Sequence, residues 1–80
     1  MIPQVRWYQV KWYLPGKVHA KYIAYVQAPT KRLALWAARD ELMVAIGGAA
    51  YAQVWREADK VTAWRMPSTY FHTGGRVVQR

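Results

Sequence analysis

The stretch VRWYQVKWYLPGKVHAKYIAYV, residues 5–26, decides the fold of this chain. Its two halves, 5–14 and 18–26, are rich in β-branched and aromatic residues, and Pro15 and Gly16 stand between them. This pattern is typical of a β-hairpin. We predict a three-residue loop of Pro15, Gly16 and Lys17, which places residues opposite each other when their numbers sum to 32.

This register separates the hairpin side chains into two faces. One face is apolar or aromatic at every pair, as a face over a core should be: Leu14 with Val18, Trp12 with Ala20, Val10 with Tyr22 and Tyr8 with Ala24. The other face pairs Tyr13 with His19, Lys11 with Lys21, Gln9 with Ile23 and Trp7 with Tyr25. A two-residue loop would mix these sets. We therefore predict that the second face points into solvent.

A helix is predicted over residues 31–46, with Thr30 or Ala28 as its N-cap and Gly47 with Gly48 as its end. Its apolar stripe, expected to lie on the hairpin's apolar face, consists of Leu35, Ala38, Leu42, Ala45 and Ile46. Trp36 and Met43 form a second apolar strip, which indicates a further partner within the fold or in a second copy of the chain.

Residues 51–66 fit two structures. Tyr51, Val54, Trp55 and Ala58 follow a helical period, whereas the β-rich composition favours a second hairpin, 52–56 against 61–66. We predict the hairpin. Residues 67–80 are then either an edge strand or a mobile tail. The prediction is one α+β domain over 1–80 in the order ββαββ, a mostly antiparallel sheet with one helix on a face.

Composition favours binding over catalysis. The 80 residues contain no Cys, which excludes disulfides and thiolate chemistry, and they contain only four carboxylates and two His. Asp40 and Glu41 are adjacent on the helix and cannot converge as a catalytic pair, while His19 and His72 lack neighbouring metal ligands. We predict a protein that is not an enzyme and that uses no metal and no cofactor.

The charge of the chain favours an anionic partner. Twelve Lys and Arg against four Asp and Glu give a net charge of +8, and residues 1–32 carry six cations and no acid. The start lacks the pattern of a secretory signal, and no segment is apolar enough to span a bilayer. A cytoplasmic location without membrane contact is expected.

The candidate binding surface is the second hairpin face and its flanks. Its residues are Arg6, Trp7, Lys11, Tyr13, Lys17, His19, Lys21, Tyr25, Lys31 and Arg32. Interleaved rings and cations can stack bases while holding phosphates, and they also suit a protein interface. A third interpretation is that the rings cover lysine stems on a solvated sheet or pack under the C-terminal residues.

The chain resembles small phage-encoded anti-CRISPR proteins in four respects. These are its length, its lack of cysteine and catalytic motifs, its element order, and its aromatic, charged surface. The likeness covers general character and carries no residue motif. It implies an inhibitor in the host cytoplasm that occupies the surface of a protein or ribonucleoprotein complex, such as a CRISPR effector, and excludes target DNA. The charge of +8 departs from the acidic members that mimic DNA.

Two alternatives stand beside this inhibitor. One is a DNA- or RNA-binding module that uses the same face, with cations on phosphates and rings on bases. The other is a homodimer formed through Trp36 and Met43.

Overall fold

The computed structural model describes residues 4–70 and 77–79. The elements in chain order are β1 (Arg6–Tyr13), β2 (Tyr22–Ala28), α1 (Lys31–Ile46), α2 (Gly48–Glu57), β3 (Lys60–Arg65) and β4 (Val77–Gln79). The strands form one antiparallel sheet in the order β3-β1-β2-β4. The predicted α+β class is confirmed, whereas the order ββαββ is wrong, because a second helix stands where a strand was expected.

The hairpin of β1 and β2 has a different register from the predicted one. Trp12 faces Tyr22, Val10 faces Ala24 and Tyr8 faces Val26, a slip of two residues. The connection is longer than three residues, and it is closed by hydrogen bonds from the Lys17 N–H to the Leu14 carbonyl and from the Lys21 N–H to the Trp12 carbonyl, 3.2 and 2.8 Å.

A slip of two leaves every strand residue on its predicted face, because side chains alternate with a period of two. The slip also places Ala28 inside the ladder opposite Arg6, where Ala28 is buried. The cross-strand pair of Lys11 and Lys21 is wrong, since Lys11 faces Ile23. His19 lies in the connection, not on the sheet, and Val18 is exposed there instead of joining the core.

Helix α1 has the predicted bounds. The Thr30 hydroxyl caps it by accepting from the Leu33 N–H at 3.2 Å. Gly47 ends it with a φ of 90°, a conformation that favours glycine. The buried side of α1 consists of Ala34, Ala38 and Leu42. The predicted stripe is right at Ala38 and Leu42 and wrong at Ala45, which is exposed.

Helix α2 replaces the first strand of the predicted second hairpin. Tyr51 and Val54 bury its apolar side, which is the helical alternative that the sequence contained. The later segment does form a strand, β3, but it pairs with β1 instead of with residues 52–56. Because β3 obtains its hydrogen-bonding partner from β1, residues 48–57 are not needed as a strand. They form a helix that follows their helical period and packs on α1.

The core lies between the helices and the inner face of the sheet, which we define as the face of β1 and β2 that carries Tyr8, Val10 and Trp12. Leu42 of α1 and Val10 of β1 are its largest fully buried side chains. No charged side chain is buried among the described residues. The described cations therefore stand at the surface, where they can meet a partner.

Candidate functional site

The outer face of the sheet lies opposite the helices, and β1 and β3 form one part of it. The pairing of β1 with β3 sets Gln9 opposite Trp64, Lys11 opposite Thr62 and Tyr13 opposite Lys60. Residues directly opposite each other in a ladder share a face. We call these six residues the outer-face patch.

Sequence reasoning missed the half of the patch that β3 supplies. It paired residues 61–66 with residues 52–56, so Lys60, Thr62 and Trp64 were not placed beside β1. The alternation of apolar and polar residues along β3 was the available signal. It identifies the strand but not the strand's partner.

Trp64 is the most prominent member of the patch. Its side chain is 66% exposed although it stands on a strand inside a ladder with β1. A large ring in that position leaves apolar surface in water that a partner could cover. The amide of Gln9 lies directly across the ladder and adds a polar group beside the ring.

Three aromatic rings form a cluster beside the patch. Tyr70 meets Trp7 edge to face, with ring centroids 6.0 Å apart, and stacks on Tyr25 at 5.9 Å. The Gln9 amide donates a hydrogen bond of 3.0 Å to the Tyr25 hydroxyl. Trp7 and Tyr25 therefore pack under Tyr70, in agreement with the interpretation that these rings pack under the C-terminal residues. The three rings lie along one side of the patch.

The charge on the sheet is of one sign. Strands β1, β2 and β3 contain no Asp or Glu. Lys11 lies in the middle of the patch, and the Lys60 ammonium stands 5.0 Å from the centroid of the Tyr13 ring. This contact is a cation–π interaction, and it keeps a positive charge beside an aromatic surface.

Exposure varies along the part of the outer face that β2 forms. Ile23, which faces Lys11 from β2, is buried at 5% exposure. Gln27, which faces Trp7 from β2, is exposed, so a ligand on the outer face can reach Trp64 and Lys60 on β3 and Gln27 on β2 but not Ile23.

The other predicted binding residues scatter around the sheet. Lys17 and His19 are exposed in the connection of β1 and β2, and Lys21 is half-buried at its end. Arg6 opens β1 and donates to the Gln4 side chain at 3.2 Å. Lys31 and Arg32 begin α1, which packs on the other side of the sheet, so they do not join the outer-face patch.

The two residues of the predicted self-association strip differ in exposure. Trp36 is 54% exposed, and the Arg39 guanidinium lies 4.9 Å from its ring centroid. Met43 packs against the core. The exposed surface of this helix side therefore centres on Trp36.

Within the residues that the structure describes, no group of three or more His, Asp or Glu side chains is placed to hold a metal ion. His72 lies outside those residues. None of the described helices is long and apolar enough to cross a membrane.

Tyr51 is a buried residue of α2, and its phenol is expected to make the stability of the fold depend on pH. Burial raises the pKa of its phenol above the usual 10.0, and the charge of Arg39 opposes the shift by a smaller amount. The stabilisation is complete below 10.0, the pKa of the phenol in the unfolded chain, and is lost as the pH rises from there through the higher pKa of the folded state, because the unfolded chain ionises first. We expect wild type to lose more stability between about pH 8 and about pH 11 than Tyr51→Phe does, as measured by urea unfolding. Equal losses in the two proteins would contradict this.

Comparison with protein-family models, with curated proteins and with solved structures finds no match to the chain.

Proposed function

We propose that this chain is a non-catalytic binding protein that holds single-stranded nucleic acid on the outer-face patch. Trp64 and Tyr13 supply ring surfaces for bases, and Lys11 and Lys60 supply charges for phosphates. The observation that supports this most strongly is the exposed Trp64, set by the β1–β3 register beside lysines on strands that contain no acid.

The size of the patch suits a short stretch of nucleotides. Trp64 and Lys60 are four residues apart on β3, a span of about 13 Å. Sheet surfaces of RNA-binding domains stack two or three bases through aromatic side chains. A base stacked on a protein ring contributes about 1 to 3 kcal/mol, and the net charge of +8 attracts the backbone from a distance.

A single strand fits the patch better than a duplex. Bases within a duplex already stack on their neighbours, so their faces are not available to an exposed indole. Unpaired bases can turn toward the sheet and cover Trp64.

Salt tests the proposal directly. We expect affinity for a fluorescent oligothymidylate to fall with salt at a log–log slope of about −2, which corresponds to about three phosphate contacts on a single strand. Lys11, Lys60 and a lysine of the β1–β2 connection would make these contacts. Fluorescence anisotropy across about 0.05 to 0.3 M salt measures the slope. Lys60→Gln should flatten the slope by about 0.7, and a wild-type slope near zero would reject the proposal.

The inhibitor implied by the likeness to anti-CRISPR proteins is the second candidate. Exposed Trp36 and Trp55 on the helix side favour it, because Trp is enriched at the energetic centres of protein interfaces. Such an inhibitor would bind a protein or ribonucleoprotein complex with a milder salt effect. It would remain bound after nuclease treatment, whereas binding through the patch to nucleic acid would be lost.

A further inference from the structure

Strand β3 leaves one backbone edge without a neighbouring strand among the described residues. The sheet order β3-β1-β2-β4 puts β3 at the end, and its six residues pair with β1 alone. Half of its backbone N–H and C=O groups therefore point away from the sheet. Such an edge can accept an extended peptide as an additional strand.

A cleft runs along this edge. It is lined by five consecutive residues of β3, 61–65, and by Lys31 and Leu35 of α1. Consecutive residues of a strand point to opposite faces, so a cleft that touches all of them follows the strand's edge. We call it the edge cleft.

The edge cleft continues into an apolar pocket of about 260 Å³ between β3 and the two helices. The two share Leu35 and Val61, and the pocket adds Trp12, Trp36, Tyr51 and Trp55. Trp36 and Trp55 are 54% and 65% exposed. Two indoles this exposed beside a free strand edge form a surface suited to an apolar side chain.

The charged residues that line the cleft and the pocket are all positive. Lys31 and Arg65 line the cleft, Arg39 lines the pocket, and Arg56 lines a neighbouring cavity that shares Arg39 and Trp55 with the pocket. Among the residues that the structure describes, no Asp or Glu lines any of these three cavities, although the charge of Asp40 acts on Tyr51. The Nε atom of Arg39 is buried without a hydrogen-bond partner, although its guanidinium lies over Trp36. Because this Nε atom is buried, a carboxylate would bind Arg39 through the two terminal nitrogens of its guanidinium, which can donate as a bidentate pair.

We infer that the edge cleft binds an extended acidic peptide, which adds to β3 as a strand and places an apolar side chain in the pocket. A polynucleotide cannot continue the amide ladder of β3. A second copy of this chain would bring a charge of +8 against the same cations. An acidic peptide satisfies the edge, the pocket and the charges together.

The geometry also specifies the peptide's spacing. Lys31 and Arg39 are eight residues apart on α1, about 12 Å along the helix. An extended peptide covers that distance in about four residues. Since alternate side chains share a face, the expected pattern is an acidic residue, an aromatic or aliphatic residue two positions later, and a second acidic residue two positions after that.

A synthetic peptide of about nine residues, with Asp, Phe and Asp at alternate positions separated by Thr, tests the inference by fluorescence anisotropy. We expect it to bind, and we expect two altered peptides to bind about ten-fold more weakly or worse. One has Lys in place of both Asp. The other has Pro in place of the intervening Thr residues, which removes the backbone donors. Equal binding of all three peptides, or no binding of the first, overturns the inference.

Variants of the protein separate this site from the proposed nucleic-acid site. Trp55→Ala and Arg39→Gln should each weaken the peptide about ten-fold and leave oligothymidylate binding within about two-fold. Lys11→Gln should weaken oligothymidylate binding and leave peptide binding within about two-fold. If Lys11→Gln weakens the peptide as much as Trp55→Ala does, the peptide lies on the outer face and the inference fails. If oligothymidylate never binds while the peptide results hold, only the proposed function fails.

Backbone hydrogen exchange supplies a readout independent of any variant. Strand addition should slow exchange at alternate amides of β3 when the acidic peptide is present, because those N–H groups gain acceptors. Unchanged exchange along β3 with a bound peptide overturns strand addition. A dimer of the free protein that persists at saturating peptide and that Trp55→Ala dissociates, detected by sedimentation, would assign the edge to a second copy and also overturn the inference.

Discussion

Replacement of Trp64 with alanine is expected to weaken binding of a single-stranded oligonucleotide by about 5- to 150-fold, the range that loss of one stacked base implies. The side chain is largely exposed on β3, so its removal opens no cavity in the core. The folded structure should therefore survive the change while the ring surface disappears. Fluorescence anisotropy with an oligothymidylate at constant salt measures the loss.

Trp55 provides a matched control for this experiment. Its side chain is 65% exposed against 66% for Trp64, but it lies on α2 on the other side of the sheet. Trp55→Ala removes the same chemical group and the same kind of exposed surface, and we expect affinity within about two-fold of wild type. Equal losses in both variants would mean that the contact is not specific to the outer face, and the proposed function would be rejected.

The face assignment of the hairpin could be predicted because it depends only on alternation. Tyr8, Val10 and Trp12 turn inward and Lys11 turns outward in any register that differs by an even number of residues. The length of the connection was not predictable in the same way. The Pro15 and Gly16 turn signal marks where the chain reverses, but it does not fix how many residues precede the first ladder pair.

The bounds of α1 were predictable because its end signals are local. Thr30 supplies a side-chain oxygen to the first turn, and Gly47 adopts the positive φ that ends the helix. Residues 48–57 carried no comparable signal in favour of a strand. Their assignment depended on whether β3 had another partner, which is a long-range fact that local pattern does not contain.

The candidate site therefore depended on one pairing that the sequence left open. Once β3 lies beside β1, Trp64 and Lys60 join Lys11 and Tyr13 on one surface. The contact of Tyr70 with Trp7 and Tyr25 is likewise a long-range fact. Trp7 and Tyr25, which the sequence predicts as ligand contacts, therefore pack against Tyr70. The expected point of contact with a ligand shifts toward Trp64.

Replacement of Leu42 with alanine is expected to lower the free energy of unfolding by about 3 kcal/mol, since burial of a leucine side chain is lost and a cavity remains. Leu42 is fully buried in α1 against the inner face of the sheet, next to Ala38 in the same cluster. Domains of this size have a total stability of about 5 to 15 kcal/mol, so this one change removes a large share of it. Urea unfolding followed by circular dichroism measures the loss.

Val44, two residues further along α1, is the internal control, because its side chain is 86% exposed. Val44→Ala should change stability by no more than about 0.5 kcal/mol, since alanine is the better helix former and no buried surface is lost. Without denaturant, and at a temperature where both variants are folded, each should bind the oligothymidylate like wild type, because neither Leu42 nor Val44 touches the outer face. A Leu42→Ala protein as stable as Val44→Ala would mean that α1 does not pack on the sheet. The inner and outer faces, and with them the outer-face patch, would then have to be reassigned.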